Sequence, residues 1–144
     1  AEVTEKHRLY WVRLAELARS GAFDFVGHLD LAKKFGSCPS VPVTAEIEAA
    51  LQAIAEAGLA VELNTAGWDK PCAEAYPSLG LLWLCREAGV PVLMNDDSHA
   101  PKKIGAHFER GARLLREAGY QEGVRFANRE RTAHPLAIPG GTAR

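Results

Sequence analysis

Read for polarity alone, the chain keeps switching between two periods. From Val3 to Arg19, Leu9, Val12, Leu14, Leu17 and Ala18 recur mostly at three- and four-residue spacing between charged positions, which predicts an amphipathic helix ending at Ser20-Gly21. Phe23-Asp24-Phe25-Val26-Gly27-His28 is short, aromatic and β-branched, and predicts a strand. Gly36 to Pro42, with its serines and prolines, reads as a loop. Thr44 as N-cap, with Glu46 and Glu48 in the first turn, opens a second helix that runs to about Ala57 and stops at Gly58.

Leu59 to Asn64 predicts a second strand and Thr65 to Pro77 a long polar loop, a place where function often resides. Ser78 to Ala88 predicts a third helix, Val90 to Met94 a third strand, and Lys102 to Ala118 a fourth helix, the two helices closing at Gly89 and Gly119. Val124 to Ala127 has the makings of a last short strand, and Pro139-Gly140-Gly141 of a loose tail. Strand and helix thus alternate strictly, with helices long enough to cross over. This predicts an α/β fold, a parallel sheet or a segment of a barrel. Ligands of such folds bind at the carboxyl ends of the strands, and His28, Asn64, Asp97 and His99 all fall there.

The third of these ends, Val92-Leu93-Met94-Asn95-Asp96-Asp97-Ser98-His99, stops an apolar run abruptly in acids and a histidine. Asp97 and His99 offer a carboxylate and an imidazole two residues apart, ligands suited to zinc, manganese or iron. A lone D-x-H is common, and Asp97 capping a turn beside a surface His99 is the plain alternative. A second histidine at a neighbouring strand end favours the metal. His28 follows Gly27, which lets backbone approach closely, and precedes Asp30, which could orient the imidazole as an acceptor. A core histidine satisfied by a carbonyl is the alternative there. Period two puts Glu62 and Asn64 on one face of their strand, either a barrel interior or a solvated edge. Asn64 is the better site candidate of the two, with Glu62 a buried structural partner. Lys33, Lys34 and Lys70 could supply positive charge to a phosphate. His7 and His107 fall on helices and are read as non-catalytic, while His134 is not assigned either way.

Composition narrows the partners. A length of 144 residues at 47% hydrophobic suits one domain over residues 1–144. Seventeen Lys and Arg against 18 Asp and Glu leave no field of one sign, so a small ligand is expected rather than nucleic acid or a membrane surface. No apolar run approaches the roughly 18 to 20 residues needed to span a bilayer, and a cytoplasmic location is expected. Cys38, Cys72 and Cys85 form no C-x-x-C pair and read as reduced thiols.

Three segments together resemble a known family. Gly27-His28-Leu29-Asp30-Leu31-Ala32-Lys33-Lys34-Phe35-Gly36, Glu62-Leu63-Asn64-Thr65-Ala66-Gly67-Trp68-Asp69-Lys70-Pro71 and Asn95-Asp96-Asp97-Ser98-His99-Ala100-Pro101 are similar, in order and spacing, to the later motifs of histidinol-phosphate phosphatases of the polymerase-and-histidinol-phosphatase (PHP) superfamily. The resemblance implies a distorted, TIM-like barrel of parallel strands with a multinuclear cluster of divalent metals at its mouth. It makes His28, Asp97 and His99 metal ligands, with Asp97 and His99 catalytic. Lys33 or Lys34 would lie near substrate phosphate, and Asn64 and Lys70 would be substrate-side. The family opens with an H-x-H motif that this sequence lacks, so the chain is expected to be a carboxyl-terminal portion whose partners are the missing amino-terminal part or a second copy. An open sheet edge is expected with it. The function implied is hydrolysis of L-histidinol phosphate by metal-activated water, within histidine biosynthesis. Two alternatives stand beside it: another phosphoester, a nucleotide or nucleic-acid end, and a catalytically incomplete fragment or binding subunit.

Overall fold

Three parallel strands in the order β1 (Phe25–Val26), β2 (Ala60–Asn64), β3 (Val92–Asn95) form the centre of the computed structural model, which describes residues 1–136. The tail at Pro139-Gly140-Gly141 lies outside the described residues. Register is fixed by Phe25 opposite Ala60, and by Val61 opposite Val92 through to Asn64 opposite Asn95. Period two sorts the two faces. Val26, Val61, Leu63 and Val92 point into the main core with Trp11, Leu14, Ile54, Leu82 and Leu115, while Phe25, Ala60 and Leu93 form a second cluster with Val124 and Phe126.

Helices α1 (Glu2–Arg19), α2 (Thr44–Glu56), α3 (Leu79–Glu87) and α4 (Phe108–Glu117) contribute much of the rest of the main core, with Leu29, Leu59 and Tyr120 from the connections. Each fully buried Val or Leu there stabilises the fold by about 1.5–3 kcal/mol. An Arg8–Glu46 ion pair at 2.7 Å joins α1 to α2. Among the described residues, no helix is long and apolar enough to cross a membrane.

Four expectations change. The first strand is shorter than Phe23–His28, because the chain turns out of the sheet at His28, where φ is +45°. Thr44 is the first helical residue of α2 rather than its cap. Val43 holds the cap position with no side-chain hydrogen bond, and is buried in the core instead. The fourth helix begins at Phe108 rather than Lys102: Pro101–Lys103 is a single 3-10 turn, and positive φ at Gly105 and His107 breaks helical continuity. Finally, strict alternation fails at the end, where β4 (Glu122–Ala127) pairs antiparallel with β5 (Glu130–Pro135). The two-residue turn between them places Asn128 and Arg129 at positive φ. A stack of Phe126 on Phe25 at 5.8 Å and Arg129 hydrogen-bonded to both Asp24 oxygens anchor this hairpin to the sheet.

Candidate functional site

The residue that organises the strand ends is Glu62, 6% exposed at the middle of β2. Its Oε2 accepts the backbone N–H of His28 at 2.9 Å and the Asn64 amide at 3.3 Å, and its Oε1 accepts the Asn95 amide at 2.9 Å. One buried carboxylate therefore ties together the ends of all three parallel strands. A buried acid is tolerated only with such partners. Gly27 makes room for it, since a Cβ there would stand 3.2 Å from Oε2.

His28 sits over this carboxylate. Its Nδ1 lies 3.5 Å from Glu62 Oε2 and its Nε2 lies 3.1 Å from Asn64 Nδ2. Asn64 Oδ1 accepts the N–H of Ala66 at 3.0 Å, which fixes the amide and makes Nδ2 the donor toward His28. Nε2 is then the acceptor, its lone pair taken by the Asn64 amide, and Nδ1 carries the proton facing Glu62; a metal at Nε2 would take the place of the Asn64 hydrogen bond. Tyr10 Oη donates to the His28 carbonyl at 2.9 Å and supports the turn.

Asp30, expected to orient His28, does something else. Its Oδ2 accepts the N–H of Ser78 at 3.0 Å and pairs with Lys33 at 2.8 Å. Burial pushes its carboxyl pKa up, against the pull of Lys33. Glu62 is the carboxylate beside His28. The Lys33 ammonium pairs with Asp30 at 2.8 Å and donates hydrogen bonds to Glu74 at 2.5 Å and the Ala75 carbonyl at 2.8 Å. Asn64, expected on the substrate side, is 1% exposed and its amide meets His28 and Glu62. Lys34 lies 5.5 Å from the Phe35 ring.

Beyond β3, a cleft of about 290 Å³ is lined by Asp97, His99 and Lys70, together with Asp69, Lys103 and His107. The Asp97 and His99 side chains are exposed there. His99 Nδ1 lies 2.8 Å from the Asp97 carbonyl, and as donor to that oxygen it leaves Nε2 free to bind. Asp96 shapes the loop. Its partial burial raises the carboxyl pKa, but hydrogen bonds from Gly105 and Ser98 outweigh this and the net shift is downward. His107, read as a helix-interior residue, instead caps α4 in the left-handed region and faces Asp69, with Nε2 to Oδ1 at 3.0 Å.

Among the described residues, no three His, Cys, Asp or Glu side chains converge on one ion. The topology explains this: β2 lies between the ends of β1 and β3, so His28 and the Asp97-His99 pair are about two interstrand spacings, roughly 10 Å, apart.

No family model matches the chain. A protein named "Probable histidinol-phosphatase" from Deinococcus radiodurans is 43% identical over 113 residues, 78% of this chain and 43% of that protein. One of the same name from Schizosaccharomyces pombe is 34% identical over 58 residues, 40% of this chain and 19% of its own. The chain thus spans less than half the length of these relatives. A crystal structure of histidinol phosphate phosphatase from Lactococcus lactis, complexed with zinc, L-histidinol and phosphate, matches with a TM-score of 0.73 at 23% identity, over 90% of this chain and 52% of that one. At that identity the likeness is one of fold.

Proposed function

We propose that this chain, a relative of the histidinol-phosphatases over 78% of its length, carries part of a metal-dependent phosphomonoesterase site for L-histidinol phosphate. The parallel sheet is taken as part of a TIM-like barrel, with the strand ends at its mouth. The observation that carries the reading is the 43% identity, on a chain whose parallel strand ends hold His28, its Nε2 unprotonated and met only by the Asn64 amide, and an exposed Asp97-His99 pair. The donor set fits a divalent metal: two imidazole nitrogens and a carboxylate, with the remaining nitrogen of His28 turned to Glu62. The same residues suit zinc, manganese and iron.

A bound divalent metal would hold phosphate oxygens and ease deprotonation of an attacking water. The chain's own residues do the rest. His28, Asp97 and His99 bind the metal; Glu62 fixes the His28 ring at Nδ1, and the Asn64 amide holds Nε2 until a metal replaces it. Lys70 meets phosphate charge in the cleft, where Asp97 and His99 also lie. Lys34 is an outlying phosphate contact, while Lys33 is committed to Asp30 and Glu74.

The test is inorganic phosphate release from L-histidinol phosphate, a 5′-nucleotide and a phosphorylated oligonucleotide end, each with added manganese or zinc. Preference for L-histidinol phosphate supports the reading, and preference for a nucleic-acid end overturns the substrate. The lack of a converged three-ligand group among the described residues supports a second reading, that these residues hold only part of a site and the chain alone is catalytically weak. Metal analysis of the purified chain separates the two, because stoichiometric, tightly held metal contradicts the second.

A further inference from the structure

The Asp69–His107 pair lies outside the proposed metal ligands, yet both residues line the cleft that holds Asp97 and His99. We propose that His107, held by Asp69, is the proton donor to the departing alcohol oxygen, a role that rests on the phosphomonoesterase reading. Stability does not account for the pair. With side chains 34% and 53% exposed, the interaction is screened by solvent and contributes little. Against that, His107 adopts φ +62°, a left-handed conformation unfavourable for a non-glycine residue.

The ring is held from two sides. Asp69 accepts from Nε2 at 3.0 Å, and Trp68 meets the ring edge-on at 5.7 Å, with Arg110 stacked on the indole at 4.3 Å. With Nε2–H committed to the carboxylate, Nδ1 is the nitrogen left to hold and pass a proton. Lys70 and Lys103 share the cleft and supply the positive charge that a phosphate dianion requires.

The chemistry balances without a co-reactant. A water oxygen forms the new bond to phosphorus and loses its proton to solvent. The bond from phosphorus to the ester oxygen breaks, its electron pair stays on that oxygen, and the His107 proton converts it to the alcohol. Solvent then reprotonates the ring.

Proton donation makes a specific demand: it matters for a poor leaving group such as the alcohol of L-histidinol phosphate, and hardly at all for p-nitrophenolate. The ratio of the two hydrolysis rates is therefore the readout, measured in the manganese-loaded protein for His107→Asn and Asp69→Asn. His107→Asn is expected to lose about 100-fold or more on L-histidinol phosphate and under about 5-fold on p-nitrophenyl phosphate. Asp69→Asn should lose less, in the same direction. Imidazole nitrogen NMR of the metal-free chain, at a pH where the ring has given up its Nδ1 proton, gives an independent check: the neutral His107 ring should keep its proton on Nε2, facing Asp69, and that preference should weaken in Asp69→Asn. Equal losses on both esters, or a His107 ring that does not respond to Asp69→Asn, overturn the proposal and leave the phosphatase reading standing. If the unmodified protein hydrolyses neither ester, the phosphatase reading falls and the proposal falls with it.

Discussion

Replacing Glu62 by alanine removes the carboxylate on which three strand ends converge. Two of the donors it accepts, His28 N–H and the Asn95 amide, stand at 2.9 Å, and the third, the Asn64 amide, at 3.3 Å. A hydrogen bond to a charged group contributes about 1.5–3 kcal/mol net, so the two short ones set roughly 3–6 kcal/mol. His28 is one-third exposed and would admit water to the gap, so the low end, about 3 kcal/mol, is expected. In a domain of this size that lowers the melting temperature by roughly 6–12 °C. Glu62→Gln separates charge from shape. The His28 N–H is backbone and cannot turn over, so the glutamine oxygen must face it. Its NH2 group then meets Asn95, whose amide can flip to accept, and the cost falls to about 1 kcal/mol. Urea unfolding followed by tryptophan fluorescence measures both. An alanine variant within about 1 kcal/mol of the unmodified protein, or a glutamine variant as damaging as alanine, refutes the placing of Glu62 at the centre of the site.

Other outcomes follow from single contacts. Gly67→Ala should cost about 3 kcal/mol, because a Cβ there meets the Glu74 backbone carbonyl, which cannot step aside; Gly80→Ala, with open space around it, should be neutral or slightly stabilising in the same thermal melts. Burial pushes the Cys85 thiol up to about 12, so iodoacetamide should label exposed Cys38 and spare Cys85 until the protein unfolds, as mass spectrometry would show. Asp30 binds its proton more tightly folded than unfolded, so its contribution to stability is full below the ordinary carboxylate pKa and is lost as pH rises through the native value. The stability of the unmodified protein relative to Asp30→Asn should therefore be greater near about pH 4 than near about pH 7 in urea melts, and the opposite order contradicts burial as the larger influence.

The parts of the fold that follow from a repeating period are those the sequence made legible. Val61 and Leu63 alternate with Glu62 and Asn64, and that pattern placed β2 and its faces correctly, together with the parallel order of the sheet. The hairpin was harder to read. Glu130-Arg131-Thr132-Ala133-His134 is polar and mostly exposed, so β5 carries no apolar alternation, and Asn128-Arg129 lacks the glycine that commonly marks such a turn. Among the candidate residues, His28, Asp97 and His99 stood out in the sequence because each interrupts or follows an apolar run. Partner choice was not visible. Asp30 and Glu62 are both acids near His28, and only strand register decides that Glu62 reaches the ring while Asp30 turns to Lys33 and Ser78. His107 was hidden by its neighbours, whose helical pattern gave no sign that two positive-φ residues would stop the helix at its door. The one available signal was Gly105 so close before it.

The central claim is that His28 and the Asp97-His99 pair serve one metal-dependent phosphatase site. The most direct measurement is the manganese-dependent rate of phosphate release from L-histidinol phosphate by the unmodified protein and by His28→Ala and Asp97→Asn, with folding checked by circular dichroism. Loss of each ligand should lower the rate by about 100-fold or more while the fold is retained. Folded variants with rates within about twofold of the unmodified protein would contradict the account, because the residues at the two outer strand ends would then take no part in the chemistry.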